Sequence, residues 1–475
     1  MSDFPYPGLR PFKRSESDVF FGRDEFIDKL SNKLNTHHFI AVLGDSGCGK
    51  SSLVRAGLLA RLRLVKIGGR EHWRVASMRP GTQAFLNLSA ILLRNNQNGD
   101  RNTENPEIDN EESLRNEYLK KFQLSDEKAI SRLNSSLTSK LSTSYRELET
   151  LLPSDNYNLL IVIDQFEELF HYADKGESQR QEVEKFIKWL LAAAQAKSKT
   201  YIVITMRSEF LDNCVEYDNL IQAINDGFFQ IPHLNREQLR ESVEFPARVH
   251  EGEVELALID RLLNDVDGLG KECQPDQLPL LQYALARMWL HADSEKILTL
   301  SHYDAILGES AYEEINPLSK ILTLAADRIY NNSSPDEKKI IEILFRRLSQ
   351  KGRVYTRHPV KLREIAELAR VIIPVILEVT DKFRRYQGCD FLFAQNKSSL
   401  GESLGELKAD DIVDIRHESI IRQWQKLKQW ADDETEWAHF YKHWEKKAQF
   451  WKNGANVPWR DLDLANAESW VSQFQ

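Results

Sequence analysis

The feature that most constrains this chain is the run Gly44-Asp45-Ser46-Gly47-Cys48-Gly49-Lys50-Ser51, which satisfies G-x-x-x-x-G-K-[ST]. It stands between Phe39-Ile40-Ala41-Val42-Leu43, an apolar run suited to a buried strand, and a segment able to begin a helix at Ser51. Glycines at this spacing let backbone N–H groups curl around phosphate oxygens, and the helix that follows adds the positive end of its dipole. The residues expected to hold a nucleotide's phosphates are Gly44, Ser46, Gly47, Cys48, Gly49, Lys50, Ser51 and Ser52, with Lys50 neutralising the β- and γ-phosphates and Ser51 on Mg²⁺.

Three further apolar runs read as strands: Trp73 to Met78, Leu159 to Ile163, and Tyr201 to Thr205. Strands alternating with helices up to about Pro232 predict a doubly wound parallel α/β sheet. Beyond it the pattern turns helical. Asp390 to Phe393 and Ile412 to Ile415 are β-like and flank a Ser-, Gly- and Lys-containing loop, as the wing of a winged-helix unit would. The fold expected is therefore multidomain, α/β plus α. A nucleotide-binding domain takes 1–235, with an exposed insertion at about 95–112, a helical domain 236–310, a winged-helix domain 311–433 and a C-terminal helical segment 434–475. Trp430, Trp437, Trp444 and Trp451 recur every seven residues and form one helical stripe that reads as a packing face.

At 475 residues the chain exceeds what one core serves. A formal charge of −9 disfavours constitutive coating of nucleic acid. One basic run, Arg346, Arg347, Lys351, Arg353, Arg357, Lys361 and Arg363, is a candidate local patch, and a solvated face is its plainer reading. The four cysteines are scattered without zinc or disulfide spacing, there is no membrane-length apolar run, and the start lacks a basic-then-apolar leader. A reducing, cytoplasmic setting is expected.

Chemistry concentrates after two of the strands. Asp164 directly follows one, so its carboxylate should emerge at the carboxyl edge of the sheet and hold Mg²⁺ with Ser51. Hydrolysis needs a group that orients the attacking water. The next residue is Gln165, so the role falls to Glu167 or Glu168, with Glu167 preferred, or hydrolysis is slow. Arg207 ends another strand at the same edge, where a cation would distinguish triphosphate from diphosphate; a surface arginine paired with Glu209 is the alternative.

Taken together, these residues resemble the STAND class of signal-transduction ATPases, in its bacterial novel STAND branch, related to AAA+ and origin-recognition ATPases. The resemblance covers nearly the whole chain. It is carried by Tyr6-Pro7-Gly8-Leu9-Arg10-Pro11-Phe12, Phe20-Phe21-Gly22-Arg23, the run Ser52-Leu53-Val54-Arg55-Ala56-Gly57-Leu58 and Asp164-Gln165-Phe166-Glu167-Glu168-Leu169-Phe170. Leu278-Pro279-Leu280-Leu281-Gln282-Tyr283 and Arg416-His417-Glu418-Ser419-Ile420-Ile421-Arg422-Gln423-Trp424 extend it. The resemblance implies that Phe21, Gly22 and Arg23 border adenine, that Pro279 closes the pocket, and that His417 touches the β-phosphate of ADP. Gln277 stands where the family often has glycine, which bears on the adenine contact.

What the resemblance implies is a regulatory ATP/ADP switch with slow Mg²⁺-dependent hydrolysis, which opens and oligomerises on nucleotide exchange, in bacterial signalling or antiviral defence. The chain starts at this module and ends about where a sensor would begin, so it is expected to be either a truncated chain or a short member that works with separate proteins; a protein trigger or effector partner is expected, and no membrane. An origin-recognition-like DNA-binding ATPase is the alternative function. A nucleotide-binding scaffold without meaningful turnover is a third reading, suggested by Gln165. ATP rather than GTP rests on the family, since no guanine-reading Asn-Lys-x-Asp motif occurs.

Overall fold

The computed structural model describes residues 4–95, 138–146, 148, 156–195, 198–267, 276–292, 296–308, 316–351, 355–385, 390–394 and 405–452. The insertion expected at about 95–112 lies outside them apart from its first residue, as do Arg353 and the tail beyond 452. Five strands form one sheet: β1 (Phe39–Gly44), β2 (His72–Met78), β3 (Tyr157–Ile163), β4 (Thr200–Arg207) and β5 (Phe228–Gln230). Their order is β2-β3-β4-β1-β5, and every pairing is parallel. The apolar runs read from the sequence are the cores of β1 to β4, each longer by one to three residues.

Parallel strands need both faces covered, and the period-two side chains divide accordingly. Phe39, Ala41 and Leu43 of β1 join Leu159, Ile161, Ile163, Ile202 and Ile204 in one core. Ile40 and Val42 join Leu160, Val162 and Val203 in the other, under the helix Asp24–Lys33 and the turns after the glycine loop. The register pairs Leu43 with Met206, Gly44 with Arg207 and Met78 with Ile163. The carboxyl ends of four strands thus form one edge carrying the glycine loop, Arg207, Asp164 and Arg79.

From Arg236 onward helices dominate. Asn235 caps Arg236–Val249 by a reciprocal box with Gln238, and Ser334 does the same with Glu337 before Pro335–Leu348. The helices Leu256–Asp267, Gln277–His291, Leu300–Leu307 and Pro317–Asn331 pack between them. Within the helical part β6 (Glu253–Val254) pairs in parallel with β7 (Ile297–Leu298). In the C-terminal part, a two-stranded ladder of β8 (Ser349–Lys351) and β9 (Tyr355–Arg357) precedes a three-stranded antiparallel sheet. That sheet orders β10 (Val360–Lys361), β12 (Ile412–Ile415) and β11 (Leu392–Ala394) beside the helices Leu362–Ala369 and Ile373–Arg384. The two expected wing strands are therefore neighbours, and β10 is an addition. One apolar core runs without a break from Tyr6 and Leu9 through the helical part to Ala431. The long helix Gln425–Lys452 contains all four tryptophans of the stripe; Trp444 is buried, and Trp430 packs on Trp424 at a centroid distance of 5.5 Å.

The basic run does not form one face. Arg357 is buried between Asp414 at 2.9 Å and Glu418 at 2.8 Å, because the end of β9 turns into the molecule. Arg346 donates to the Trp430 carbonyl at 2.7 Å and to Glu342 at 2.8 Å, and the exposed Arg363 pairs with Asp410. Among the described residues no helix is long and apolar enough to cross a membrane.

Candidate nucleotide site

At the sheet edge, positive φ at Gly47 and Gly49 turns the loop back over the end of β1. A Cβ on Gly47 would also come within 2.9 Å of the Asp276 Cα, so glycine is required twice over at that position. Lys50 Nζ donates to the carbonyls of Gly44 at 2.9 Å and Asp45 at 2.6 Å. Ser51 Oγ donates to Asp164 Oδ1 at 2.7 Å, and Thr205 Oγ1 donates to the same oxygen at 2.5 Å. Arg55, in a π-helical stretch Leu53–Leu58, reaches Asp164 Oδ2 at 3.1 Å. Burial alone would raise the Asp164 pKa, but Arg55, Arg79 and the two hydroxyl bonds hold it below the usual range. A carboxylate kept ionised beside a hydroxyl is a pair of hard oxygen donors, which fits Mg²⁺ completed by phosphate oxygens and water.

Glu167 and Glu168, between which the sequence preferred Glu167, separate here. Glu167 lines the cleft, lies 3.5 Å from Arg207 and leaves its buried Oε2 without a hydrogen bond. Glu168 accepts the Gly81 N–H at 3.1 Å, and burial pushes its pKa up to about 7. Gln165 sits at φ 59, in the left-handed region, and its Oε1 accepts from Arg357 at 3.0 Å. Arg207 is buried, and Glu209 is only one of its partners: Glu418 lies at 3.1 Å as well. Desolvation works against Arg207's charge, yet Glu418 and Glu167 raise its pKa overall.

The opposite wall comes from distant sequence. Phe21 packs edge-on to Phe245 at 5.4 Å and lines the cleft with Pro279. Gly22, at φ 81, brings its Cα so near the Gln238 carbonyl that a Cβ would lie 2.4 Å from that oxygen. Arg23 binds the carbonyls of Pro232 at 2.7 Å and Cys48 at 3.0 Å, tying the loop to the sheet; burial lowers its pKa to about 10. The Ser52 hydroxyl accepts the Phe12 N–H at 3.1 Å, so the segment Pro7 to Phe12 covers this end of the cleft. Gln277 begins its helix with a buried Oε1 that has no hydrogen bond.

His417 lies on the cleft wall, where burial drops its pKa to about 4. Its Nδ1 accepts the Ser419 N–H at 3.1 Å, which leaves the ring proton of the neutral form on Nε2 as a donor. Glu418 binds both Arg207 and Arg357; burial would raise it, but those two cations hold it well below the ordinary carboxylate range. Arg422 bonds Ser46 Oγ at 2.7 Å and both oxygens of Asp276 at 2.5 Å. The cleft so enclosed has about 1180 Å³ of free space, counting its open mouth.

The structure thus gathers Phe21, Arg23, Ser46 to Ser52, Glu167, Arg207, Pro279 and His417 on one cleft, with Gly44, Gly22 and Asp164 directly behind it and Glu168 turned toward Gly81. Sequence reasoning missed Arg79, Asp276 and the acid–base pairs of Arg357, Glu418 and Arg422. A charged residue inside an otherwise apolar stretch, as Asp414 is in Ile412 to Ile415, was the available signal for a buried ion pair.

No curated protein resembles the chain closely enough to match. Among solved structures it is similar to the Walker-type ATPase of Pyrococcus abyssi, at 14% identity, covering 88% of this chain and 99% of that one, with a TM-score of 0.38. It is similar also to the Aeropyrum pernix ORC1 protein in complex with DNA, at 12% identity over 87% and 96% of the two chains, with a TM-score of 0.37. Residues 5–458 match the family Novel STAND NTPase 1. With its parallel sheet, its glycine loop and a family match over nearly its whole length, the chain belongs to the novel STAND NTPases, a nucleotide-binding family.

Proposed function

We propose that this protein is an ATP/ADP switch in which the C-terminal part, a winged-helix unit, holds the nucleotide site closed. The observation that carries the proposal is the approach of the segment Arg416 to Arg422 to the cleft: Arg416, His417 and Glu418 line it, Arg422 bonds the glycine loop and Glu418 bonds Arg207. Adenine lies between Phe21 and Pro279, and Gly22 and Arg23 set the turn beneath it. The glycine loop and Lys50 hold the phosphates, with Lys50 exchanging its carbonyl contacts for phosphate oxygens. Neutral His417 donates from Nε2 to the β-phosphate of ADP. Ser51 and Asp164 would hold Mg²⁺, which when bound would supply positive charge to offset that of the phosphates.

A γ-phosphate adds negative charge beside Arg207, so it competes with Glu418 for that guanidinium and weakens the closed arrangement. Glu167, whose pKa burial raises against the pull of Arg207 and Lys50, orients the attacking water. Gln165 is held by Arg357 and contributes no acid, so turnover is slow and serves to reset the switch. Opening exposes the surface through which copies assemble, and the output is a signal, in bacterial signalling or defence, passed to a protein partner.

The test is to identify the nucleotide retained by purified protein and follow its mass by light scattering with ADP, ATP and a slowly hydrolysed ATP analogue. ADP retained by a monomer, assembly with the analogue, loss of nucleotide in Lys50→Ala and easier assembly in His417→Ala are the expected results. Rapid turnover by a constant monomer, indifferent to His417, sinks the switch.

A further inference from the structure

Arg79 is the residue after Met78, whose carbonyl at the end of β2 accepts the Asp164 N–H at 2.8 Å. It therefore leaves the sheet one strand away from the Mg²⁺ carboxylate, and its side chain lines the same cleft as Lys50, Glu167 and Arg207. The neighbouring cations are engaged with protein groups: Lys50 with two carbonyls, Arg207 with Glu418 and Glu209, and Arg357 with Asp414, Glu418 and Gln165. Among the described residues Arg79 has no hydrogen bond and no ion pair, and its Nε is buried without an acceptor. Asp164, Glu168 and Asp414 feel its charge.

A buried donor without an acceptor is costly, and more so when charged. A guanidinium also presents a planar fork that matches phosphate oxygens. Position narrows which phosphate. The glycine loop ends β1, and the order β1-β4-β3-β2 puts Arg79 three strand spacings away, roughly 14 Å along the edge. The loop wraps the α- and β-phosphates, so only the far end of the polyphosphate, past Asp164, comes within reach of an arginine side chain.

We propose that Arg79 is a γ-phosphate ligand, taking a terminal oxygen of bound ATP and none of ADP. The assignment rests on the nucleotide-switch reading and adds a residue that makes the site favour triphosphate. With Arg207 claimed by Glu418 in the closed arrangement, Arg79 is the cation already available to an arriving γ-phosphate. It forms the first contact specific to ATP, before Arg207 is released.

The experiment is equilibrium binding of ADP and of a slowly hydrolysed ATP analogue, each with Mg²⁺, to wild type, Arg79→Ala, Arg79→Lys and Lys50→Ala. Arg79→Ala should weaken the analogue by about 10- to 100-fold, the range for a charge-assisted hydrogen bond. ADP affinity should stay within about twofold. Arg79→Lys, which keeps the charge and loses the fork, should recover part of the loss and carries the test should the alanine variant misfold. Equal weakening of both nucleotides would mean a structural role through Asp164 or Glu168 and overturns the assignment, as does no change in either. Where wild type binds both and Lys50→Ala binds neither, such a result removes Arg79 alone. Where wild type binds neither, the switch reading and Arg79 fall together.

Discussion

The C-terminal part meets the rest of the molecule at two seams of opposite chemistry. Against the helical part it is joined by continuous apolar packing, with Trp424, Phe345, Phe383, Phe391 and Tyr283 fully buried in one shared core. Against the sheet it is joined through charge: Arg422 with Ser46, Glu418 with Arg207, and Arg357 with Gln165. An apolar seam has no particular group that a ligand can displace. An ionic seam depends on partners that a phosphate can replace, since buried ion pairs contribute little net stability but break at a large cost when one member is withdrawn. In the proposed switch it is therefore the sheet-side seam that responds to nucleotide.

The largest effect separating the two is expected from Trp424→Ala, which empties a buried indole site and removes its bond to Asp327 at 2.9 Å. It should destabilise the helical and C-terminal parts together by about 3–5 kcal/mol, read by thermal or denaturant unfolding. Glu418→Ala strips one partner from two buried arginines and should cost a similar amount, on the order of 3–5 kcal/mol. Here, however, amide exchange should quicken first in β9 and residues 411–427, while β1, β3 and β4 stay protected. Uniform loss of protection across the molecule would erase the distinction between the seams.

Acidity sharpens the same contrast. His417, held near 4 against an ordinary 6.5, adds stability above pH 6.5 that is lost as pH falls toward 4. Glu168, held near 7, adds stability below pH 4.5 that is lost as pH rises through 7. The two slopes oppose each other between pH 4.5 and 6.5. Relative to wild type, His417→Gln should lose stability as pH rises across that window and Glu168→Gln as it falls, each by at most about 3 kcal/mol. Parallel curves would show that neither group is held as described. The smallest effect belongs to the exposed pair Arg363 and Asp410, where Arg363→Ala should leave the melting temperature unchanged. A clear drop there would show that surface charge also secures the C-terminal part.

Legibility followed sequence distance. The glycine loop, the strands and the position of Asp164 could be read because each is a local pattern: a turn requiring glycine, an apolar run, an acid at the run's end. The choice between Glu167 and Glu168 was legible only as a slight preference for Glu167. Both follow the same strand, and it is the course of the turn through Gln165 that sends one into the cleft and the other to Gly81. Arg357 read as a member of a basic run, and its burial followed only from where β9 ends, beside Asp414 and Glu418. Arg79 carried no motif and gained its interest from the register of β2 against β3.

By itself the sequence determined that this chain has a phosphate-cradling loop on a parallel sheet, because glycine's backbone freedom and apolar periodicity act within a few residues. It determined the family as well, through motifs in order along the chain. Only the tertiary structure decided which charges face the loop, as Arg422 does toward Ser46 from 376 residues away while also pairing with Asp276, 146 residues away. The reason is physical: an ion pair forms wherever folding brings its partners within about 4 Å with the solvent excluded, and no local pattern in the chain encodes that meeting.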